Sequence, residues 1–206
     1  MTPSTAPLAA VNDFVVKFAN INGSGSASAN ELFAKCILRM GVPIGPRNIF
    51  PSNIQGLPTW YEVRVSEAGW LGRRGGYDLL VAMNPQTWDE DVKGLAAGGY
   101  LFYDNSKPLP KFKFRDDVVV VGVPLTDIAN QTWDDPRQRQ LFKNIMYLGA
   151  LSVLLGIERD VVVALIGEQY KGKQALLEPN VHALDLGREY ASGHLQPIGL
   201  KIERRD

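Results

Sequence analysis

The stretch FANINGSGSASANELF, from Phe18 to Phe33, joins the end of an apolar segment to the start of a helical pattern through a turn of Gly and Ser. Before it, DFVVKFA, from Asp13 to Ala19, is short, apolar and β-branched, as buried strands are. After it, Ser28 to Met40 carries one apolar helical stripe, and Gly41 suits the position after the helix end. This strand–turn–helix order predicts the opening unit of a parallel α/β fold.

The rest of the chain repeats the alternation of strands and helices. Further strands are predicted at TWYEVRVS, YDLLVAM, GYLFYD and DVVVVGVP, and further helices at DDPRQRQLFKNIMYLGALSVLLG, ERDVVVALIGEQY and LLEPNVHALDLGREYA, although VVVALI alone also fits a strand. Four prolines predict that residues 42–58 are largely loop. The pattern therefore predicts an α/β fold, a Rossmann-like three-layer sandwich with a mostly parallel sheet and additional C-terminal helices.

The predicted helices and strands divide the chain into three parts. Residues 1–12 are predicted to be a flexible leader, because they lack the basic and apolar regions of a signal peptide. Residues 13–192 form the α/β domain. Residues 193–206 are polar and contain Pro and Gly, which predicts a linker to a following domain or a tail.

Composition excludes several classes of function. With 22 basic and 22 acidic side chains in 206 residues, the formal net charge is zero, so no general attraction to nucleic acid is expected. No apolar stretch is long enough to predict a membrane-spanning helix. The single cysteine, Cys36, cannot form an internal disulfide or hold an iron–sulfur cluster, and fits a reducing cytoplasm. With only His182 and His194, no metal site is predicted.

The Gly/Ser turn has the layout of a phosphate-binding turn. Backbone N–H groups and the helix dipole favour an anion at such a place. The pattern Gly23-x-Gly25-x-x-Ser28 lacks the third glycine of a dinucleotide fingerprint, and the segment after the helix carries Arg47 where an NAD site needs an acid. NAD is therefore disfavoured and a phosphorylated ligand stays open, as does the alternative that the turn only begins the helix.

Three stretches carry a family resemblance: FANINGSGSASANELFAKCILRMGVPIGPRNIFPSNIQGLPTWYEVRVS, LGRRGGYDLLVAMNPQTWDEDV and GGYLFYDNS. In this order they resemble the gamma-type module of 2-oxoacid:ferredoxin oxidoreductases. Within that family the chain is most similar to the N-terminal part of the 2-oxoglutarate:ferredoxin oxidoreductase (2-oxoglutarate synthase) alpha subunit, from about residue 11 to the C-terminus.

The resemblance implies an enzyme component that covers an active site and helps to bind coenzyme A during oxidative decarboxylation or its reverse. It places thiamine diphosphate, magnesium and the iron–sulfur cluster in other domains or subunits, with a beta subunit and ferredoxin as partners. No catalytic or metal-binding residue is expected in this chain. The expected coenzyme A or active-site lining residues are Asn22, Gly23, Ser24, Gly25, Ser26, Arg47, Asn48, Ser52, Asn53 and Gln55.

Two other functions stay open. The chain is alternatively a non-catalytic assembly module that docks partner domains, or, as a weaker reading, an NADP-type dehydrogenase. Other polar residues have mainly structural interpretations. Asn84 is predicted to cap a helix, with active-site lining as the minority interpretation, and Asp104 to Ser106 to form an Asx turn or line the same cleft. Arg73 and Arg74 are predicted to lie in a hairpin or interface, with a phosphate site as the weaker alternative. Cys36 is predicted to be core, and the two histidines to pack at the surface.

Overall fold

The computed structural model describes residues 5–205, and its centre is a six-stranded sheet. The strands are β2 (Asp13–Ile21), β3 (Ile44–Ile49), β4 (Pro58–Ser66), β5 (Tyr77–Ala82), β6 (Leu95–Asp104) and β7 (Val119–Val123). They lie in the order β3-β4-β2-β5-β6-β7. β2, β5, β6 and β7 are mutually parallel, whereas β4 runs antiparallel to both of its neighbours. The prediction of a mostly parallel α/β sheet is confirmed.

Within residues 5–205, six α-helices accompany the sheet. They are α1 (Ser26–Arg39), α2 (Trp88–Gly94), α3 (Leu125–Thr132), α4 (Pro136–Leu155), α5 (Arg159–Gln169) and α6 (Gln174–His194), and a short 3-10 helix spans Lys111–Lys113. The sequence missed α3, which has few apolar residues. The segment VVVALI, which alone also fits a strand, lies within helix α5, as the longer pattern predicted.

Helix α4 begins and ends at the residues that its capping signals predict. Asp135 accepts hydrogen bonds from the backbone N–H groups of Arg137 and Gln138, Pro136 is the first helical residue, and Gly156 ends the helix with φ of 76°. The later half of α4 is buried almost all round, as its composition predicts. This helix therefore forms the centre of the helical layer.

The two faces of the sheet are covered unequally. Alternate residues of β2, Phe14, Val16 and Phe18, point into a large core shared with α1, α4, α5 and α6. The intervening Val15 and Ala19 face a smaller core that includes Trp88 of α2 and other apolar side chains. The sheet is thus the middle layer of three, with most of the helical mass on the face that carries Phe18.

The prediction that residues 42–58 are largely loop was wrong for Ile44–Ile49. This segment is a regular edge strand paired with β4 alone, and Pro46 stands opposite Val63. Proline has no N–H to donate, and an edge strand tolerates it because one side of its backbone needs no partner in the sheet. The pairing with a distant strand, rather than the local sequence, therefore decides the structure here.

The predicted flexible leader and C-terminal tail differ from the structure in the described residues. β1 (Ala10–Val11) pairs in parallel with β8 (Leu200–Lys201). Asn12 is fully buried, donates from Nδ2 to the Glu203 carbonyl at 2.8 Å and accepts from the Glu203 N–H at 2.9 Å. The two short segments are ordered because each supplies backbone hydrogen-bond partners of the other. Residues 1–4 and 206 of the predicted leader and tail lie outside the described residues.

Candidate functional site

The Gly/Ser turn is held by the loop between β3 and β4. The Asn22 N–H donates to the Leu57 carbonyl at 2.8 Å, and the Gly56 N–H donates to the Asn22 carbonyl at 2.9 Å. Gly23 and Gly25 adopt φ of 84° and 78°, in the left-handed region that favours glycine. Gly25 is the residue before α1, which has no side-chain cap and no acid in its first turn. Among the described residues, no side-chain acceptor caps the N-terminal N–H groups of this helix.

A cavity of about 350 Å³ lies between this turn and the strands β3 and β4. One wall is formed by the turn and the first turn of α1, and the other by residues of the two antiparallel strands. The lining residues are Asn20, Ile21, Asn22, Gly23, Gly25, Ser26, Ala27, Asn30, Asn48, Phe50, Thr59, Trp60 and Tyr61. We call this cavity the turn cleft.

Two hydroxyl side chains stand on the strand wall of the turn cleft. Thr59 lies directly opposite Asn20, and Tyr61 directly opposite Asn48, so all four point to the face of the sheet that carries α1. Thr59 and Tyr61 are 9% and 7% exposed, and neither hydroxyl has a hydrogen-bond partner among residues 5–205. Burial, assisted by the charge of Glu31, raises the pKa of Tyr61 to about 12. Its phenol is therefore a neutral donor at ordinary pH.

A buried polar network lies beneath the turn cleft. Asn30 donates from Nδ2 to Asn20 Oδ1 at 3.0 Å, and the Tyr147 hydroxyl donates to Asn30 Oδ1 at 2.7 Å. Asn84 donates from Nδ2 to the Asn20 carbonyl at 3.1 Å. Asn144 donates to the Ser24 carbonyl at 2.9 Å. The ends of two strands and two helices thereby hold the turn in one place.

The structure brings half of the predicted site residues to the turn cleft. Asn22, Gly23, Gly25, Ser26 and Asn48 line it. The others do not: Ser24, Arg47, Ser52, Asn53 and Gln55 are absent from its lining.

Three of the remaining predicted residues have identifiable positions elsewhere. The Ser52 hydroxyl accepts from the Ile54 N–H at 3.2 Å within the β3–β4 loop, and Gln55 in the same loop packs beside Gly23. Arg47 is exposed and stands opposite Glu62, so the strand pleat directs it to the other face of the sheet from Asn48. Arg47 and Asn48 were predicted to line one site because they are adjacent in sequence, but the strand pleat directs their side chains to opposite faces of the sheet.

Sequence reasoning missed Asn20, Asn30, Phe50, Thr59 and Tyr61. A polar residue at an inward position of a buried strand, such as Asn20 two residues after Phe18, is a usable signal. Thr59 and Tyr61 can be placed at the site only once the register between β2 and β4 is known, and this register pairs residues about forty positions apart.

The other singled-out polar residues have local partners. Asn84 was predicted to cap a helix, but α2 begins at Trp88, and Asn84 Oδ1 accepts from the Gln86 N–H at 2.9 Å in an Asx turn. Asp104 forms an Asx turn with Ser106 and also accepts from Thr126 at the start of α3. Arg74 pairs with Asp78.

Cysteine and histidine form no reactive cluster in residues 5–205. Cys36 is fully buried, as predicted. His182 lies against the Trp133 ring, and His194 stacks on Tyr190. This part of the chain holds no group of three or more His, Cys, Asp or Glu arranged to bind a metal ion. None of its helices combines the length and apolar character needed to cross a bilayer.

The family model for pyruvate ferredoxin/flavodoxin oxidoreductase matches residues 15–190. Among curated proteins, the chain is 25% identical over 203 residues to the 2-oxoglutarate oxidoreductase subunit KorA of Mycobacterium tuberculosis, which covers 87% of the chain and 31% of KorA. It is 26% identical over 122 residues to the ketoisovalerate oxidoreductase subunit VorA of Methanothermobacter thermautotrophicus, covering 58% of the chain and 24% of VorA. The chain thus spans about a third or less of the length of these relatives.

Solved structures share the fold. The 2-oxoglutarate:ferredoxin oxidoreductase of Magnetococcus marinus, solved with 2-oxoglutarate, coenzyme A and succinyl-CoA bound, matches 95% of this chain and 34% of its own, with a TM-score of 0.81 and 22% identity. The pyruvate oxidoreductase subunit PORC of Thermotoga maritima matches 86% of this chain and 96% of its own, with a TM-score of 0.68 and 24% identity. The same fold therefore occurs within a longer chain and as a whole subunit.

Proposed function

The chain belongs to the pyruvate ferredoxin/flavodoxin oxidoreductase family, and from this premise we propose that it is the gamma-type component of a 2-oxoacid:ferredoxin oxidoreductase. The proposed substrate is 2-oxoglutarate, which KorA supports as a relative aligned over 87% of the chain. In this proposal the chain covers the active site and helps to bind coenzyme A. It works in the cytoplasm, which suits a chain with one cysteine.

The observation that carries the coenzyme A part of the proposal is the turn cleft. It combines an uncapped helix N-terminus with the hydroxyls of two mostly buried residues, Thr59 and Tyr61, which have no protein hydrogen-bond partner in residues 5–205. Hydroxyls that face a cleft and have no protein partner are available to a ligand, and they favour one that completes their hydrogen bonds. The contact between Arg47 and a phosphate stays a prediction. The turn cleft does not support it, because Arg47 is absent from the cleft lining.

The electron-transfer and decarboxylation chemistry is proposed to lie outside this chain. Its single cysteine does not fit an iron–sulfur cluster, which needs about four ligands. Thiamine diphosphate, magnesium and the cluster are proposed to be held by the thiamine-binding domains and a beta subunit, with ferredoxin as the electron acceptor. The residues of this chain would bind and orient coenzyme A and exclude water from the site.

A second candidate function, an assembly module that docks partner domains, is favoured by exposed aromatic side chains. Trp70 in the β4–β5 loop is 75% exposed, and Phe112 in the 3-10 helix is 81% exposed. Aromatic side chains are enriched in protein–protein interfaces relative to the rest of the surface. Docking and coenzyme A binding are compatible, because both side chains lie outside the lining of the turn cleft.

Calorimetric titration of the purified chain with coenzyme A and with NADPH tests the proposal. We expect binding of coenzyme A and not of NADPH. Gly25→Ala should abolish binding, because a Cβ at Gly25 would contact the Leu141 side chain in a backbone conformation that disfavours alanine. Gly172→Ala is the matched control, since Gly172 has the same positive φ but open space around it. NADPH binding, or equal loss in both variants, would contradict the proposal.

Activity of the chain alone is a separate test. We expect no reduction of a viologen dye with 2-oxoglutarate and coenzyme A, because the redox groups are proposed to lie elsewhere. Turnover by this chain without partners would overturn the assignment of the chemistry to other domains.

A further inference from the structure

The turn cleft differs from a phosphate site in the charge of its lining. Among the described residues that line it, none is Lys, Arg, Asp, Glu or His. Burial raises the pKa of Tyr61 on its wall, and the nearby carboxylate of Glu31 raises that pKa further. Arg47 lies on the other face of the sheet. An anion would therefore meet a helix dipole but no side-chain cation, with a carboxylate nearby.

The polar groups of the cleft suit a neutral ligand that both donates and accepts hydrogen bonds. Thr59 and Tyr61 carry hydroxyls, which can donate and accept, and Asn48 adds an amide. The free N–H groups at the start of α1 are donors for a carbonyl oxygen as well as for an anion. Phe50, 55% exposed at the same cleft, adds an apolar surface.

Resting on the proposed coenzyme A function, we infer that the turn cleft binds the neutral, amide-bearing pantetheine arm of coenzyme A rather than its phosphates. Thr59 and Tyr61 are the binding residues that donate to the amide carbonyls of this arm. The cavity of about 350 Å³ lies at the small end of the range for ligand sites. It therefore suits one arm of coenzyme A, while the nucleotide end lies outside it.

The inference is tested on the 206-residue chain with three probes: coenzyme A, pantetheine and adenosine 3′,5′-bisphosphate, under reducing conditions. We expect pantetheine to bind and to displace coenzyme A, and the bisphosphate to do neither. Because the contacts are neutral, raising the salt concentration should change pantetheine affinity by less than about twofold.

Variants identify the groups that bind. Thr59→Val and Tyr61→Phe should each weaken pantetheine binding by about threefold to tenfold, as expected for one net hydrogen bond. Tyr103→Phe is the matched control, because Tyr103 is partly buried against Trp88 and Phe114 in the smaller core on the other face of the sheet. If a cleft variant does not fold, the site is mapped instead on the wild-type chain, from the changes in amide chemical shifts when pantetheine is added. The perturbed signals should include Gly25, Ser26, Thr59 and Tyr61.

The possible failures are distinct. Binding of coenzyme A and the bisphosphate without pantetheine overturns the inference and leaves the proposed function standing. Unchanged pantetheine affinity in both hydroxyl variants also overturns it. Absence of binding by all three probes removes the proposed coenzyme A function and the inference together.

Discussion

The Tyr147 hydroxyl on α4 donates a hydrogen bond of 2.7 Å to Asn30 Oδ1 on α1, and both side chains are buried. Asn30 in turn donates to Asn20, whose carbonyl accepts from Asn84. The hydroxyl of a core helix therefore supports the strand end from which the Gly/Ser turn begins. Burial raises the pKa of Tyr147 above its ordinary range, so the phenol remains a donor.

Tyr147→Phe should lower the free energy of unfolding by about 1–3 kcal/mol, because it removes one buried hydrogen bond and leaves Asn30 Oδ1 without its donor. Equilibrium unfolding in urea measures the change. Tyr190→Phe is the control, since Tyr190 is only partly buried and its ring stacks on His194. Equal stability losses in the two variants would contradict a special role for the buried hydroxyl.

Helices α4 and α6 approach each other closely at two glycines. A Cβ at Gly149 would overlap the Leu184 carbonyl oxygen, and a Cβ at Gly187 would overlap the Met146 carbonyl oxygen. Gly149→Ala and Gly187→Ala should each destabilise the protein by about 1–3 kcal/mol or more, because backbone atoms must move apart. Thermal and urea unfolding measure this loss.

Gly193→Ala and Gly167→Ala are the matched controls for these helix glycines. Both positions lie in helices, and a Cβ at either meets no atom within 4 Å. Alanine should stabilise each by about 0.5–1 kcal/mol through its better helix propensity. Destabilisation at the open positions equal to that at Gly149 would show that the close contact between the helices is not the cause of the loss.

Asn12 joins the two ends of the described chain. It has φ of 52°, and its side chain makes two hydrogen bonds with the backbone of Glu203. Asn12→Gly tolerates the positive φ but loses the two side-chain hydrogen bonds, so we expect a stability loss of about 1–3 kcal/mol. Asn12→Ala loses these bonds and also disfavours the positive φ, so we expect a loss of about 2–4 kcal/mol. Hydrogen exchange at Lys201 and Glu203 should rise in both variants. Unchanged exchange there would mean that the C-terminal strand is held without Asn12.

Cys36 makes stability depend on alkaline pH. Burial raises the pKa of its thiol from 9.0 to about 12, opposed by the charge of Arg39. Above pH 9.0 the unfolded chain releases the thiol proton while the folded chain retains it, so the free energy of unfolding falls as pH rises toward 12. The slope from this group approaches about 1.4 kcal/mol per pH unit.

Urea unfolding at roughly pH 8 and roughly pH 10 measures this slope. Cys36→Ala should show a smaller decrease over the same interval, while the tyrosines contribute equally to both proteins. An equal decrease in wild type and Cys36→Ala would contradict the assignment to the thiol. In the folded wild type, iodoacetamide should also react far more slowly than in the unfolded chain.

Arg47 and Asn48 are adjacent in sequence and lie on opposite faces of β3. Asn48→Ala should weaken pantetheine binding by about threefold, because Asn48 lines the turn cleft, whereas Arg47→Ala should leave it within about twofold. Titration of both variants measures the difference. A loss for Arg47→Ala that equals the loss for Asn48→Ala would place the guanidinium at the ligand.

The sequence alone determined the elements whose signals are local. Asp135, Pro136 and Gly156 define α4 within one stretch of chain, and DFVVKFA followed by the Gly/Ser turn defines the first strand and its connection to α1. Capping, backbone φ and apolar periodicity act over a few residues, so they can be read without the fold. The family resemblance rested on such stretches, and the family match over residues 15–190 confirmed it.

Only the tertiary structure decided the features that depend on pairing between distant segments. Ile44–Ile49 is a strand because β4 lies beside it, and Ala10–Val11 is ordered because Leu200–Lys201 supplies its hydrogen bonds. The turn cleft depends on the register that sets Thr59 opposite Asn20. A shift of one residue would turn the Thr59 hydroxyl to the other face, and no local preference distinguishes the two registers.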